Sequence, residues 1–164
     1  MLETKHKHDI KAAAVGQLKD QHAVLFQAVQ IASVATTHVE AKQEGKYDTR
    51  AIEASYLAGA QAERLAELDQ KILTLERLTL SNAPTTDRVK VTSLVAVGDE
   101  EGGTRWYMIL PGAAGLNVKI LAIDITILSP ESNLGIELLG KLLGEEVELT
   151  VGRVVKILTI EKII

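Results

Sequence analysis

Apolar residues in the first half of the chain repeat at helical spacing. From about residue 9 to 43, four of them recur every seven positions: Leu18, Leu25, Ala32 and Val39. From about residue 48 to 78, a second set recurs in the same way: Ala51, Ala58, Leu65 and Ile72. Such stripes predict two amphipathic helices. The segment from Glu44 to Asp48 interrupts the pattern, so we predict an antiparallel helical hairpin, a coiled coil over residues 1–80, with its tip at about 44–50.

After the polar linker 81–87 the period changes from 3.6 residues to two, which is typical of strands. The pattern predicts three strands, then one short helix, then a last strand pair: 88–97, 104–110 and 118–128, the helix from Ser132 to about Leu143, and the pair 146–151 and 153–163. Ser132 is a suitable N-cap for the helix. We therefore predict an α+β fold, in which the hairpin precedes a domain over residues 88–164 built as an antiparallel sheet with one short helix.

Composition narrows the function classes. The net charge is −4, from 18 basic and 22 acidic residues, so direct DNA specificity is not expected. There is no cysteine, which excludes disulfides and thiolate metal sites. The sequence contains no apolar run of about 20 residues and no signal-peptide pattern at its start. We expect a cytoplasmic protein without a membrane segment.

One segment of the second domain carries a specific motif. The stretch 127–147 reads ILSPESNLGIELLGKLLGEEV. It resembles the C-terminal signature of Gre-type transcription elongation factors, which runs roughly S-P-x-S-P-L-G-x-A-L-L-G-K-x-x-G-D-E-V. The matching positions include Ser129, Pro130, Ser132, Leu134, Gly135, Leu138, Leu139, Gly140, Lys141, Gly144, Glu146 and Val147. Asn133 and Glu145 depart from the family pattern.

The resemblance implies both a fold and a function. The family's C-terminal domain is FKBP-like and binds bacterial RNA polymerase at the rim of its secondary channel. The coiled coil enters that channel, where acidic tip residues help to hold a Mg²⁺ ion of the polymerase active site, and backtracked RNA is cleaved. RNA is then contacted only through the polymerase complex. The protein itself is not expected to be an enzyme or to carry a cofactor of its own.

The acidic pair of the family tip is not intact in this chain. The family tip reads G-D-L-x-E-N-A-E-Y-x-A-A, and neither register of residues 45–59 places both acids on acids. The nearest candidates for the catalytic and Mg²⁺-binding role are Asp48 and Glu53. On one helix they lie about 140° apart. Asp48 is also a suitable N-cap for the second helix, and Glu53 an ordinary surface charge.

Four further residues are candidates for binding the polymerase: Glu44, Lys46, Arg50 and Leu143. Lys46 and Arg50 make the tip nearly neutral, which leaves two alternatives open within the resemblance. The protein either stimulates transcript cleavage or is a Gre-like polymerase regulator without cleavage activity. A prolyl isomerase-like binding domain is a third possibility from another class, although only Trp106 and Tyr107 offer the aromatic lining that such sites need.

Overall fold

The structure is a computed structural model that describes residues 2–40, 49–80, 88–152 and 154–164. Two long helices come first, α1 (His6–Glu40) and α2 (Thr49–Arg77). Four strands follow: β1 (Leu94–Asp99), β2 (Thr104–Ile109), β3 (Asn117–Ile120) and β4 (Ile123–Leu128). A short helix and two strands complete the chain: α3 (Asn133–Leu138), β5 (Glu146–Val151) and β6 (Val154–Ile163). The predicted fold class, an N-terminal helical hairpin with a sheet and one short helix, is confirmed.

The two long helices pack against each other in antiparallel directions. Lys19 in the first half of α1 forms a 2.7 Å ion pair with Glu76 at the end of α2. Farther along, His22 Nε2 lies 3.2 Å from Asp69 Oδ1. Since later residues of α1 meet earlier residues of α2, the pair is a hairpin. The 35 residues of α1 give it a length of about 50 Å.

The sheet has six strands in the order β3-β4-β2-β1-β6-β5. All neighbouring pairs are antiparallel except β2 and β4, which are parallel. The predicted single strand over 118–128 is wrong, because β3 and β4 form a hairpin of their own. Leu121 and Ala122 turn the chain between them, with φ angles of 52° and 63°. This order is therefore β-β-β-β-α-β-β rather than the predicted β-β-β-α-β-β.

Two other predicted boundaries also differ. The first strand begins at Leu94 rather than residue 88, because Thr92, at a φ of 75°, turns the chain just before it. Helix α3 ends at Leu138 rather than near Leu143. Its C-cap, Leu139, is extended, and Gly140 follows with a φ of 83°, so the helix stops there.

The sheet has a hydrophobic core on each face. One core lies between the sheet and the lower half of the helical hairpin, which is formed by the first part of α1 and the last part of α2. This core includes Ile10, Leu18, Leu68, Leu75, Met108, Ile125 and Ile127. The other lies between the sheet and α3, and it includes Val95, Tyr107, Leu134, Leu138, Val147 and Ile160. Trp106 packs against the first core and Tyr107 belongs to the second, as expected for adjacent residues of a strand.

Polar contacts also fix the lower end of the hairpin to the sheet. Gln17 Nε2 on α1 donates to the Asn117 carbonyl oxygen of β3 at 2.9 Å. A Cβ built at Gly112, which follows β2, would lie 3.4 Å from Lys71 Cα on α2. The hairpin therefore contacts the sheet through backbone atoms as well as through the hydrophobic core. The boundaries 1–80, 81–87 and 88–164 remain a prediction, and residues 81–87 lie outside the described part of the chain.

Candidate functional site

The motif segment between β4 and α3 forms a hydrogen-bonded turn. Ser132 is the N-cap predicted from the sequence, and its Oγ accepts a hydrogen bond from the Gly135 amide at 3.1 Å. The same hydroxyl donates to the Ser129 carbonyl oxygen at 2.7 Å. Ser129 Oγ accepts from the Glu131 amide at 3.2 Å. Ser132 thus pairs an amide that the helix leaves unsatisfied at its start, and Ser129 pairs an amide of the turn that precedes the helix.

Two glycines of the motif are required by local geometry. A Cβ at Gly135 would overlap the carbonyl oxygen of Ser129, so only glycine lets the turn close. Gly140 adopts a φ of 83°, where a side chain is strained. Its amide donates to the Val89 carbonyl oxygen at 2.9 Å, which ties the end of the helix to the start of the domain. In this structure, these motif residues specify the shape of the turn and helix rather than a reactive group.

An exposed apolar surface accompanies the motif. Leu143, a sequence candidate for partner binding, is 56% exposed. Ile136 on α3 and Leu142 are exposed as well, at 58% and 38%. Because the helix ends at Leu138, Leu142 and Leu143 leave its buried face and lie in the loop before β5. The sequence analysis missed Ile136. Its signal was a large apolar residue midway between Leu134 and Leu138, which both lie in the core, so that Ile136 falls on another side of the helix.

The far end of the hairpin holds the remaining candidates. Glu53 lies on α2 and is exposed, so its carboxylate is accessible. Arg50 lies in the first turn of α2. Glu44, Lys46 and Asp48 lie outside the described residues, so the roles suggested for them stay predictions. Among the residues that the structure does describe, no three His, Cys, Asp or Glu side chains gather into a metal-binding group.

Two residues near this end were missed by the sequence reasoning. Tyr56 is 77% exposed and Leu57 is 58% exposed, although both are large and at least partly apolar. Their signal in the sequence was their position off the heptad stripe that faces α1. They add an apolar surface beside Glu53, within about one helical turn of it.

No helix in the described part of the chain is both long and apolar enough to cross a membrane. The sequence matches no protein-family model and no curated protein. Several solved structures are similar to it, at low identity. The GreA factor homolog 1 (Gfh1) of Thermus thermophilus is 19% identical, with a TM-score of 0.38, over 91% of this chain and 93% of that one. Gfh1 of Thermus aquaticus is also 19% identical, with a TM-score of 0.40, over 93% and 94%.

A third similar structure is a prokaryotic transcription elongation factor GreA/GreB from Nitrosomonas europaea. It is 20% identical, with a TM-score of 0.38, and the match covers 58% of this chain and 78% of that one. The structural neighbours of this chain are therefore Gre-type transcription factors.

Proposed function

We propose that this protein is a Gre-type transcription elongation factor that binds bacterial RNA polymerase and inserts its helical hairpin into the secondary channel. The observation that carries the proposal is the motif of residues 127–147, which folds into the turn and helix that its serines and glycines require, in a domain attached to a hairpin of about 50 Å. Neither the hairpin nor the sheet domain alone would indicate this function, because coiled coils and small sheets each serve many functions.

The two ends of the molecule suit different tasks in this function. Ile136, Leu142 and Leu143 expose apolar side chains at the sheet end, where a protein partner could bury them. The far end of the hairpin exposes Glu53 and Tyr56, well removed from the sheet. A partner that binds the sheet end would thus also contact the far end of the hairpin, at a second site. In the polymerase, that place would be the channel leading to the active site.

Stimulated transcript cleavage is the fuller form of the proposal. Carboxylates are suitable ligands for Mg²⁺, which prefers oxygen, and two metal ions together stabilise the attacking and the leaving oxygens in phosphodiester hydrolysis. Asp48 and Glu53 are the carboxylates that this chain offers. The cation and the reaction belong to the polymerase, so the protein acts as a cofactor of cleavage and not as an enzyme.

A regulator without cleavage activity is the second candidate. The observation in its favour is the sequence of the tip, where Lys46 and Arg50 lie between the acids Glu44, Asp48 and Glu53. Basic neighbours lower the affinity of carboxylates for a cation, and they could contact an acidic channel wall or RNA phosphates within the polymerase complex instead.

Binding is tested first. Fluorescently labelled protein is titrated with bacterial core RNA polymerase, and its anisotropy is followed. Leu143→Asp is expected to weaken binding by tenfold or more, since it places a charge in the apolar surface. The matched control is Leu121→Asp, which changes a 60% exposed leucine in the β3–β4 turn, at the opposite end of the strand order. Absence of binding by the unchanged protein would refute the proposal.

Cleavage is tested next, with a backtracked elongation complex, Mg²⁺ and end-labelled RNA. If the tip acids act, the unchanged protein shortens the RNA and Asp48→Ala or Glu53→Ala abolishes this, whereas Glu63→Ala does not. Glu63 is a matched control because it is exposed on the same helix, about 15 Å farther from the tip than Glu53. Binding without shortening would identify the regulator.

A further inference from the structure

The two edge strands of the sheet, β3 and β5, differ in what lies beside them. At one edge, α1 packs beside β3, and the Gln17 side chain donates to the Asn117 carbonyl oxygen. At the other edge, β5 pairs with β6 on one side only. An edge strand with unpaired backbone groups is a template for another strand. The β5 edge is therefore the one that could accept a partner.

The register of β5 against β6 fixes which backbone groups of β5 point outward. The Ile160 amide donates to the Glu145 carbonyl oxygen at 3.0 Å, so Glu145 and Ile160 form a hydrogen-bonded pair, and hydrogen-bonded and non-hydrogen-bonded pairs alternate along β5 from there. Val147, Leu149 and Val151 thus direct their amide and carbonyl groups toward β6. Those of Glu146, Glu148 and Thr150 point away from the sheet.

A groove of about 380 Å³ runs along this edge. Its lining comes from β5 and from the end of α3 with the loop after it: Glu146, Val147, Glu148, Thr150, Glu137 and Lys141. The helix forms one wall and the outer side of the strand forms the other. A groove between a helix and a free edge strand is the geometry in which an extended peptide adds to a sheet.

The charge of the groove selects the occupant. The residues that line it include Glu137, Glu146 and Glu148 against one lysine, Lys141. Because side chains alternate along a strand, Glu146 and Glu148 lie on the face of β5 opposite Val147 and α3. Across β5, the neighbours of Glu146 and Glu148 are Thr159 and Ile157, so neither faces a basic residue of β6. A second copy of β5 would oppose glutamate to glutamate, which is unfavourable. A strand with Lys or Arg at alternate positions would pair with both glutamates.

We propose that the β5 edge and its groove bind an extended, basic segment of a partner protein by strand addition. Lysine or arginine side chains of the segment face Glu146 and Glu148, while the alternate side chains lie on the α3 side, where Glu137 and Lys141 line the groove. The backbone of the segment pairs with the outward groups of Glu146, Glu148 and Thr150. This activity goes beyond the proposed function and needs no polymerase.

The test uses the full chain and a fluorescein-labelled peptide, Lys-Val-Lys-Val-Lys-Val. Anisotropy is expected to show saturable binding, and Glu148→Lys is expected to weaken it at least about fivefold through repulsion. The charge-reversed peptide, Glu-Val-Glu-Val-Glu-Val, is the control and should not bind. Because polymerase is absent, failure here leaves the binding and cleavage experiments above unaffected. No saturable binding of the basic peptide would overturn the proposal.

A second measurement separates strand addition from simple charge attraction. Amide hydrogen exchange by NMR should show Glu146, Glu148 and Thr150 exchanging fast in the free protein and slowly with the peptide. Glu148→Pro removes one outward amide without breaking a β5–β6 hydrogen bond, so it should abolish that protection. Glu148→Gln, which keeps the amide, should retain it. Binding with no protection of these amides would refute the proposed pairing.

Discussion

The side-chain ammonium of Lys7 donates to the backbone carbonyl oxygen of Ile164 at 3.3 Å. Lys7 lies in the first turn of α1 and is only 5% exposed, so this contact joins the start of the hairpin to the residue after β6. Burial lowers the pKa of Lys7 below its ordinary value, because the charged form loses its hydration.

The first prediction concerns this buried charge. The Ile164 carbonyl oxygen also accepts from the Leu94 amide at 2.9 Å, so Lys7→Met leaves it paired. We expect Lys7→Met to raise the free energy of unfolding at pH 7 by about 1 kcal/mol, since a buried charge is replaced by an apolar chain.

The stability gained by Lys7→Met should decrease as the pH rises. The unfolded chain binds a proton at Lys7 more readily than the folded one, so the stability of the unchanged protein rises with pH between the lowered pKa and the ordinary value of 10.5. The advantage of Lys7→Met should therefore shrink over that window. Urea denaturation at several pH values measures it. Lys5→Met is the control, because Lys5 is 71% exposed, and an equal pH trend there would contradict the prediction.

The second prediction concerns the end of α2. Lys11 on α1 donates to the carbonyl oxygens of Glu76 and Leu78, at 3.0 and 2.7 Å. These carbonyls lie at and just after the helix end, where a cation is favoured. Lys11→Met should lower the free energy of unfolding by about 1–2 kcal/mol.

Lys19→Met provides the comparison for that measurement. Lys19 pairs with Glu76 at 2.7 Å, but both side chains are largely exposed, at 57% and 42%. Its loss should cost at most about 0.5 kcal/mol by urea denaturation. Equal losses for Lys11→Met and Lys19→Met would show that the carbonyl contacts contribute no more than a surface ion pair.

The third prediction concerns the turn before α3. Ser132→Ala removes the N-cap and should cost about 1 kcal/mol of unfolding free energy. Gly135→Ala should cost more, about 2–3 kcal/mol, because the added methyl overlaps the backbone of Ser129. Thermal denaturation followed by circular dichroism measures both. A smaller loss for Gly135→Ala than for Ser132→Ala would be inconsistent with the close approach described above.

The fourth prediction has the opposite sign at another glycine. A Cβ at Gly59 on α2 meets no atom within 4 Å, and the residue is inside the helix. Gly59→Ala should therefore stabilise the protein by up to about 1 kcal/mol. The same thermal experiment tests it, and a lower melting temperature would contradict the regular helix at this position.

The sequence predicted the elements that have strong periodicity or chemical signals. The heptad stripes gave both long helices, and Ser132 marked the start of α3. The β3–β4 turn was not predictable from composition, because Leu121 and Ala122 adopt positive φ angles where Gly, Asn or Asp normally signals a turn. The parallel pairing of β2 with β4 depends on contacts between distant residues, which no local pattern encodes.

The candidate site was predictable in kind but not in geometry. The motif located the turn around Ser129 and Gly135, yet the exposure of Leu142 depends on α3 ending at Leu138, four residues earlier along the chain. The short helix ends where Leu139 becomes extended and Gly140 adopts a φ of 83°, and these backbone angles place Leu142 and Leu143 in the loop that follows. At the far end, Glu53 is exposed as expected for a surface carboxylate on α2.

The contacts of Gln17 and Gly112 at the lower end of the hairpin have a mechanical consequence. The part of α1 beyond Gln17 spans about 35 Å and acts as a lever arm, so a rotation of about 5° at Gln17 would displace the end of α1 by about 3 Å. That displacement is larger than a metal–ligand bond. The accuracy with which any tip residue is positioned is thus set by packing near Asn117 and Lys71, far from the residues that would use it.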